Sequence, residues 1–364
     1  MVPLSGAATA WTREGWFFYG GLNGGLDNPD CTGEAYGCGT GALYDPSSDS
    51  WEMLEPPPFE EEYLGQLERL GRLRASATWD GEDRVVVWGG EQSTGQAAPS
   101  WRAYADGAIY HLSTRRWEYL PAPEGMVGRG RNHQTLWIGD GVFIWGGHGD
   151  DDEQLPRGGG VLRLDALSWE PTPREGAHAA AHRPTMVWTG NEVLMWGGLG
   201  DEDEYIGTGA SYDPESREWQ PLSQDGAPRA RSAHTAVWTG HEMLVFGGAR
   251  GEVGVEVNLL GDGAAYDPAN DTWRPLSKRG APSPRGGHIA VWTGTHMLVW
   301  GGERGCPAGA LYDPEADEWT PMTTEGAPPG TWNPYRAWTG EQLLVRGGII
   351  GDVYYFSQIG VFTP

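Results

Sequence analysis

Lysine is all but absent from this sequence. Lys278 is the only one, so nearly every fixed positive charge is an arginine. Arginine holds a carboxylate in a planar fork that lysine cannot offer. Positive charge as a whole is scarce, with 25 basic side chains against 50 acidic ones and a formal charge of -25. Such a surface repels phosphate backbones, which argues against nucleic acid as a partner and leaves cations and basic protein patches as compatible ones. Long apolar runs are missing too. No stretch approaches the roughly 18 apolar residues that open the case for a membrane-spanning helix, and mean hydropathy is -0.50. Residues 1–15 lack the basic start and apolar centre of a signal peptide. Three cysteines are too few for a disulfide framework. Cys31 and Cys38 share one glycine-rich loop and could pair, which favours an extracytoplasmic or secreted setting, and Cys306 is left over.

Glycine and proline are plentiful, at 58 and 27 of 364 residues. That excludes a mostly helical protein and predicts short strands joined by turns. Gly-Gly pairs at 20–21, 89–90, 146–147, 197–198, 247–248, 301–302 and 347–348 recur at about 50-residue spacing after a longer first gap. A short apolar run precedes each, as in "RVVVWGG" and "EVLMWGG". Before that run stands another segment ending in Trp, as in "AVWTG" at 236–240. After a variable loop comes "GALYDP" or a close relative, and seven residues past its Tyr another Trp, as from Tyr266 to Trp273. Each unit therefore reads strand a, turn, strand b, Gly-Gly, loop, strand c, turn, strand d. One four-stranded sheet cannot bury both its faces alone, so the units must stack about an axis.

This recurrence resembles the kelch repeat of β-propellers, and most of all the bacterial kelch proteins related to the galactose oxidase central domain. The resemblance covers nearly the whole chain. It departs from the pattern in the third unit, where Leu162 takes the Tyr place, and in the seventh. It implies an all-β, seven-bladed β-propeller of four-stranded blades, with residues 1–364 as a single domain and a monomer. The seventh unit stops after its strand c, "QIGVFTP" at 358–364, while "VPLS" at 2–5 matches the "QPLS" (220–223) and "RPLS" (274–277) that close other units. The N-terminal strand is thus expected to join the last blade and close the ring, removing an open sheet edge. The chain also reads as trimmed from a longer native one.

Residues that recur in every unit are framework, and residues that break the pattern are candidates for function. Most of the 20 tryptophans recur at the end of strand a, before Gly-Gly or at the start of strand d, as packing between blades. Trp16 reads as core. Trp101, between strands b and c of the second unit, and Trp332, in "PPGTWNPY" between the sixth and seventh, lie off the pattern. They and Tyr335 are candidate ligand contacts. Arg74, Arg131, Arg183, Arg231, Arg285 and Arg336 stand where strand a begins, and are expected as a ring at the channel mouth able to hold a carboxylate. The alternative for that ring is pairing with the acidic loops at 60–62, 150–153 and 201–204. His133, His234 and His288 share one repeat position and read as framework. His148, His178 and His182 lie near Asp150, Asp151, Asp152 and Glu153, but their spacing matches no known metal site. No metal and no cofactor are expected. Phe59, Tyr63, Leu67 and Leu70 fall at helical spacing, predicting a short helix within 58–73.

No nucleophile–base motif or phosphate loop is readable. The expected function is a non-catalytic binding or scaffold propeller that takes a protein, peptide or glycan at the loop-bearing mouth. The alternative is an enzyme acting on an anionic carbohydrate there, epimerase- or oxidase-like, with no assigned catalytic residue. The a–b and c–d turns are nearly uniform, so the opposite face reads as generic.

Overall fold

A computed structural model describes residues 4–23, 39–59, 61–63, 66–68, 71–93, 101–150, 158–252, 256–302, 308–325, 327, 330–350, 353–354 and 359–363. The fold is all-β, with seven blades of the expected strand order and no α-helix among the described residues. Among the described residues no helix is long and apolar enough to cross a membrane.

Residues 1–171 form one compact unit holding three four-stranded blades. Blade 1 comprises Ala8–Thr12, Gly15–Tyr19, Gly41–Asp45 and Ser50–Leu54. Blade 2 comprises Ser76–Trp79, Arg84–Trp88, Gly107–His111 and Arg116–Leu120, and blade 3 runs from Gln134–Trp137 to Ser168–Pro171. Residues 172–364 form a second unit with blades 4 to 7. Their a strands are Thr185–Trp188, Thr235–Trp238, Ile289–Trp292 and Tyr335–Trp338. Blades 4, 5 and 6 have four strands, and blade 7 has three among the described residues, with Gly360–Phe362 as its strand c.

Strand b shows why these segments become sheet. In blade 4, Val193, Leu194, Met195 and Trp196 are all fully buried. A continuous apolar run, instead of an alternating one, marks a strand covered on both faces. Strands c and d keep the Tyr-to-Trp register throughout: Tyr266 stands opposite Trp273, Tyr312 opposite Trp319, and Leu162 opposite Trp169 in the divergent unit. Within the units, strand d tryptophans tie a blade to the one before it. The indole N–H of Trp273 donates to the Ser223 carbonyl at 2.8 Å, and that of Trp319 to the Ser277 carbonyl at 2.8 Å. Trp117 does the same to Glu55 within the first unit. Trp16 is buried, as expected.

Two expectations are corrected. The 58–73 segment is not helical: Glu61–Tyr63 pairs antiparallel with Gln66–Glu68 as a hairpin. Gly65 and Gly71 disfavour a helix here, and so short a helix is marginal without packing to stabilise it. The expected pairing of the N-terminal strand with the last blade is not found among the described residues. Leu4–Ser5 pairs with Leu22–Asn23 at the Gly-Gly end of blade 1, Leu4 opposite Asn23. Two segments so near in sequence close a short loop, which costs less entropy than a closure across the chain. The loop with Cys31 and Cys38, residue Cys306, and the acidic residues Asp151, Asp152 and Glu153 lie outside the described residues.

Candidate functional site

Each blade has a turn edge, made by its a–b and c–d turns, and a loop edge, where b–c loops and d-to-a links meet. The sequence candidates sit on loop edges, and backbone geometry sorts them. Two residues before strand a, every blade has a residue in the left-handed region: Gly6, Arg74, Asn132, Arg183, Ala233, Gly287 and Asn333, with φ between 49° and 75°. Consecutive ones are joined in each unit. The Arg74 N–H donates to the Gly6 carbonyl, the Gly287 N–H to Ala233, and the Asn333 N–H to Gly287, at 2.7 to 2.8 Å.

The six candidate arginines therefore do not share one position. Arg74 and Arg183 occupy the left-handed site, and Arg131 stands one residue before it. Arg231 and Arg285 come four residues before strand a, and Arg336 is the second residue inside it. Arg231 and Arg285 are fully buried. Arg231 donates to the carbonyls of Gly247 (2.8 Å) and Asp262 (3.1 Å) and pairs with the Asp262 carboxylate at 3.1 Å. Arg285 donates to Gly301 and Ala308, both at 2.8 Å. Neither is presented to a ligand. Arg72, Arg129 and Thr331 do the same in their own blades, donating to Gly89, Gly146 and Gly347. In return the second glycine of the preceding blade donates to the backbone carbonyl at this position, as Gly90 to Arg129, Gly198 to Arg231 and Gly248 to Arg285. This arginine is a stitch between blades. Its signal is legible after the fact as an arginine 16 or 17 residues before the first Gly of four of the pairs. In blade 4, where Ala181 holds the place, His178 reaches the Gly197 carbonyl instead, at 2.9 Å.

The recurring histidines are framework. His133 Nδ1 donates to the Gly130 carbonyl, so its Nε2 accepts from Ser76 Oγ at 3.1 Å. His234 and His288 meet the hydroxyls of Thr185 (2.9 Å) and Thr235 (2.7 Å), each the first residue of the preceding strand a. Burial pushes the His133 imidazole down to about 4 and the His234 imidazole down to about 3, and holds His288 well below its ordinary value. All three are neutral at pH 7. Asp150 accepts from the Ala103 N–H at 2.8 Å, and among the described residues no group of three potential metal ligands converges.

In blade 2 the structure brings two of the candidates together. A hairpin of Glu91–Ser93 and Trp101–Ala103 projects from the loop edge. It is anchored from below: the Arg72 guanidinium lies between the Phe59 and Tyr104 rings, 3.7 and 4.1 Å from their centroids, and pairs with Asp106 at 2.9 Å. The Tyr104 hydroxyl donates to Gln92 at 2.6 Å. On top, exposed Arg74 lies 5.6 Å from the Trp101 ring centroid and pairs with buried Glu91. Trp101 is itself half-buried. The result is an aromatic face beside a guanidinium on a braced hairpin.

In the second unit Trp332 is part of the packing. A Cβ on Gly287 would come within 2.6 Å of its ring, so the indole lies against the Gly286–Gly287 backbone. Tyr335 stands opposite buried Arg346, the arginine that replaces the aromatic before the last Gly-Gly. Arg183 and Arg336 are exposed.

Comparison with known families agrees with this architecture. The family described as the KLHDC2/KLHL20/DRC7 Kelch-repeats domain matches residues 132–348, more than half of the chain. No curated protein matches it.

Proposed function

The chain belongs to the KLHDC2/KLHL20/DRC7 kelch-repeat family, and on that premise we propose that it is a binding propeller, taking a protein, peptide or glycan partner on its loop edges without converting it. Kelch propellers commonly serve as protein-binding scaffolds. The observation that carries the reading is the Arg74–Trp101 pair. Trp101 breaks the repeat, both residues are accessible, and the hairpin that holds Trp101 is braced at its base by the Arg72–Asp106 ion pair. Tryptophan and arginine dominate the energetics of protein interfaces because each offers a large contact area with a polar handle. Glu91 offsets much of the Arg74 charge, so the pair favours a ligand that lies flat on the indole and donates or accepts at its rim. Arg131, Arg183, Arg336 and Tyr335 extend the candidate surface on their own blades. Arg231, Arg285 and Trp332 leave it.

The test is capture from a panel of peptides and glycans, acidic and neutral, by the wild-type chain and by Trp101→Ala and Arg74→Ala. Each variant should bind its best ligand at least about tenfold more weakly, a loss of about 1.4 kcal/mol, with an unchanged melting temperature. Full retention of binding in both variants, or turnover of a sugar on the panel, would overturn the reading.

A further inference from the structure

The turn edges are uniform in sequence, yet one groove between them differs from the others. At three places within the units where consecutive blades meet, the a–b turn of one faces the c–d turn of the next and an arginine bridges them. Between blades 1 and 2, Arg115 pairs with Glu14 and, at 3.1 Å, with Glu52. Between blades 2 and 3, Arg84 pairs with Asp80 at 2.9 Å and Asp165 at 3.0 Å. Between blades 5 and 6 the arrangement is fullest. Arg274 donates from Nε and Nη2 to the two oxygens of Glu242 at 3.0 and 2.7 Å. It also donates to the Tyr312 hydroxyl at 3.1 Å and to the Pro314 carbonyl at 3.4 Å.

Between blades 4 and 5 the acceptors recur and the arginine does not. Glu192 closes the turn "TGNE" (189–192) as Glu242 closes "TGHE" (239–242). Tyr266 and Pro268 match Tyr312 and Pro314, but the residue after Trp219 is Gln220 where Arg274 follows Trp273. A cavity of about 540 Å³ lies here, lined by Glu192, Trp238, His241, Asp267 and Pro268 among others. Burial first, then Asp271 and the Glu192 charge, raise the Tyr266 hydroxyl's pKa, which puts Glu192 within electrostatic reach of it. Among the described residues no ion pair engages Glu192. The groove between blades 6 and 7 has no such acceptors, with His296 in the glutamate's place and Phe362 in the tyrosine's.

We infer that the groove between blades 4 and 5 binds a guanidinium group brought from outside, seated against Trp238 and forked onto Glu192 as Arg274 is onto Glu242. The chain's own arginines are the precedent for the chemistry at two neighbouring pairs of blades and, most closely, at the next one. The planar cation suits an aromatic wall and a carboxylate together, whereas a lysine ammonium matches neither geometry as well. The source is either an arginine side chain of a partner or a free guanidino compound. This site is independent of the Arg74–Trp101 surface.

Titration calorimetry with N-acetyl-arginine amide and with the peptide Gly-Gly-Arg-Gly-Gly, at low salt, tests the inference. Both probes should saturate, and their citrulline counterparts, neutral and of the same shape, should bind at least about tenfold more weakly. Glu192→Gln should weaken the arginine probes by a similar factor. Gln220→Arg should supply the missing guanidinium from within, exclude the probes and raise the melting temperature; Glu192→Gln carries the test if that variant does not fold. A peptide that binds tenfold or more tighter than the amide assigns the site to a partner's arginine, and equal affinities assign it to a free guanidino group. Trp101→Ala should leave every titration unchanged, which separates this site from the loop edge. No saturable binding, equal binding of citrulline, or indifference to Glu192→Gln would overturn the inference.

Discussion

A histidine one residue before strand a carries a consequence for acid stability. His133, His234 and His288 are buried, and their folded-state pKa values lie below the ordinary 6.5, at about 4 for His133 and about 3 for His234. Above pH 6.5 neither the folded nor the unfolded chain holds these protons, so they do not affect stability. As pH falls below 6.5 the unfolded chain takes them up and the folded chain does not, so the folded state loses about 1.4 kcal/mol per pH unit for each histidine. The urea midpoint should therefore drop between pH 6.5 and pH 5, above the range where carboxylates titrate. His133→Gln should flatten that slope. An equal slope in the variant would show that the protons are taken up elsewhere. The same residue scale explains a misreading. Aligning "RSAH" (231–234) and "RGGH" (285–288) with other arginines near strand a treats spacing to a histidine as register. The register is set by backbone conformation, the left-handed residue shared by Gly6, Arg74 and Arg183, and φ leaves no single mark in sequence because glycine, asparagine, alanine and arginine all occupy it.

At the scale of elements, the strands were legible because each blade repeats the same burial problem. Gly-Gly recurs in all seven blades, the Trp of strand d in six and the Tyr of strand c in five, so the copies reinforce one another. What lies between strands b and c, or between strand d of one blade and strand a of the next, has no second copy to compare. That is why the segment after blade 1 read as a helix, while it forms a hairpin at Glu61–Tyr63 and Gln66–Glu68. Arg72 braces the base of the hairpin that carries Trp101, through Tyr104 and Asp106 just past its second strand. Replacing Arg72 with Ala leaves Asp106 part-buried with half of its partners gone, and should cost about 3 kcal/mol. Amide exchange at Trp101–Ala103 should accelerate more than exchange in strand b of the same blade. Uniform acceleration across the blade would mean that Arg72 braces the whole sheet and not the hairpin. The open groove was legible in principle. Gln220 breaks the "W-R-P-L-S" form that Arg274 sets, but that substitution acquires meaning only once Glu242 and Tyr312 are seen to hold the guanidinium.

The whole molecule carries a formal charge of -25, and Arg72, Arg129, Arg231, Arg285 and Arg346 are buried inside the frame. The surface is therefore more acidic than the composition alone implies, and self-repulsion opposes the compact state. Raising NaCl from about 20 to about 500 mM shrinks the screening length from roughly 20 Å to a few ångströms. The melting temperature should rise, because exposed like charges are screened while buried pairs are not. A fall would show that surface ion pairs such as Arg115–Glu52 outweigh the repulsion.

The single lysine has a practical corollary. Lys278 is exposed in the link between strand d of blade 5 and strand a of blade 6, on a loop edge. Coupling through side-chain amines has one anchor to use, so a sensor chip or a resin would hold every molecule in the same orientation, gripped by that edge. The turn edge of blades 4 and 5, with Glu192 and Trp238, would face the flowing solution. An amine-coupled surface would report guanidinium capture cleanly and under-report partners of the loop edge near the tether.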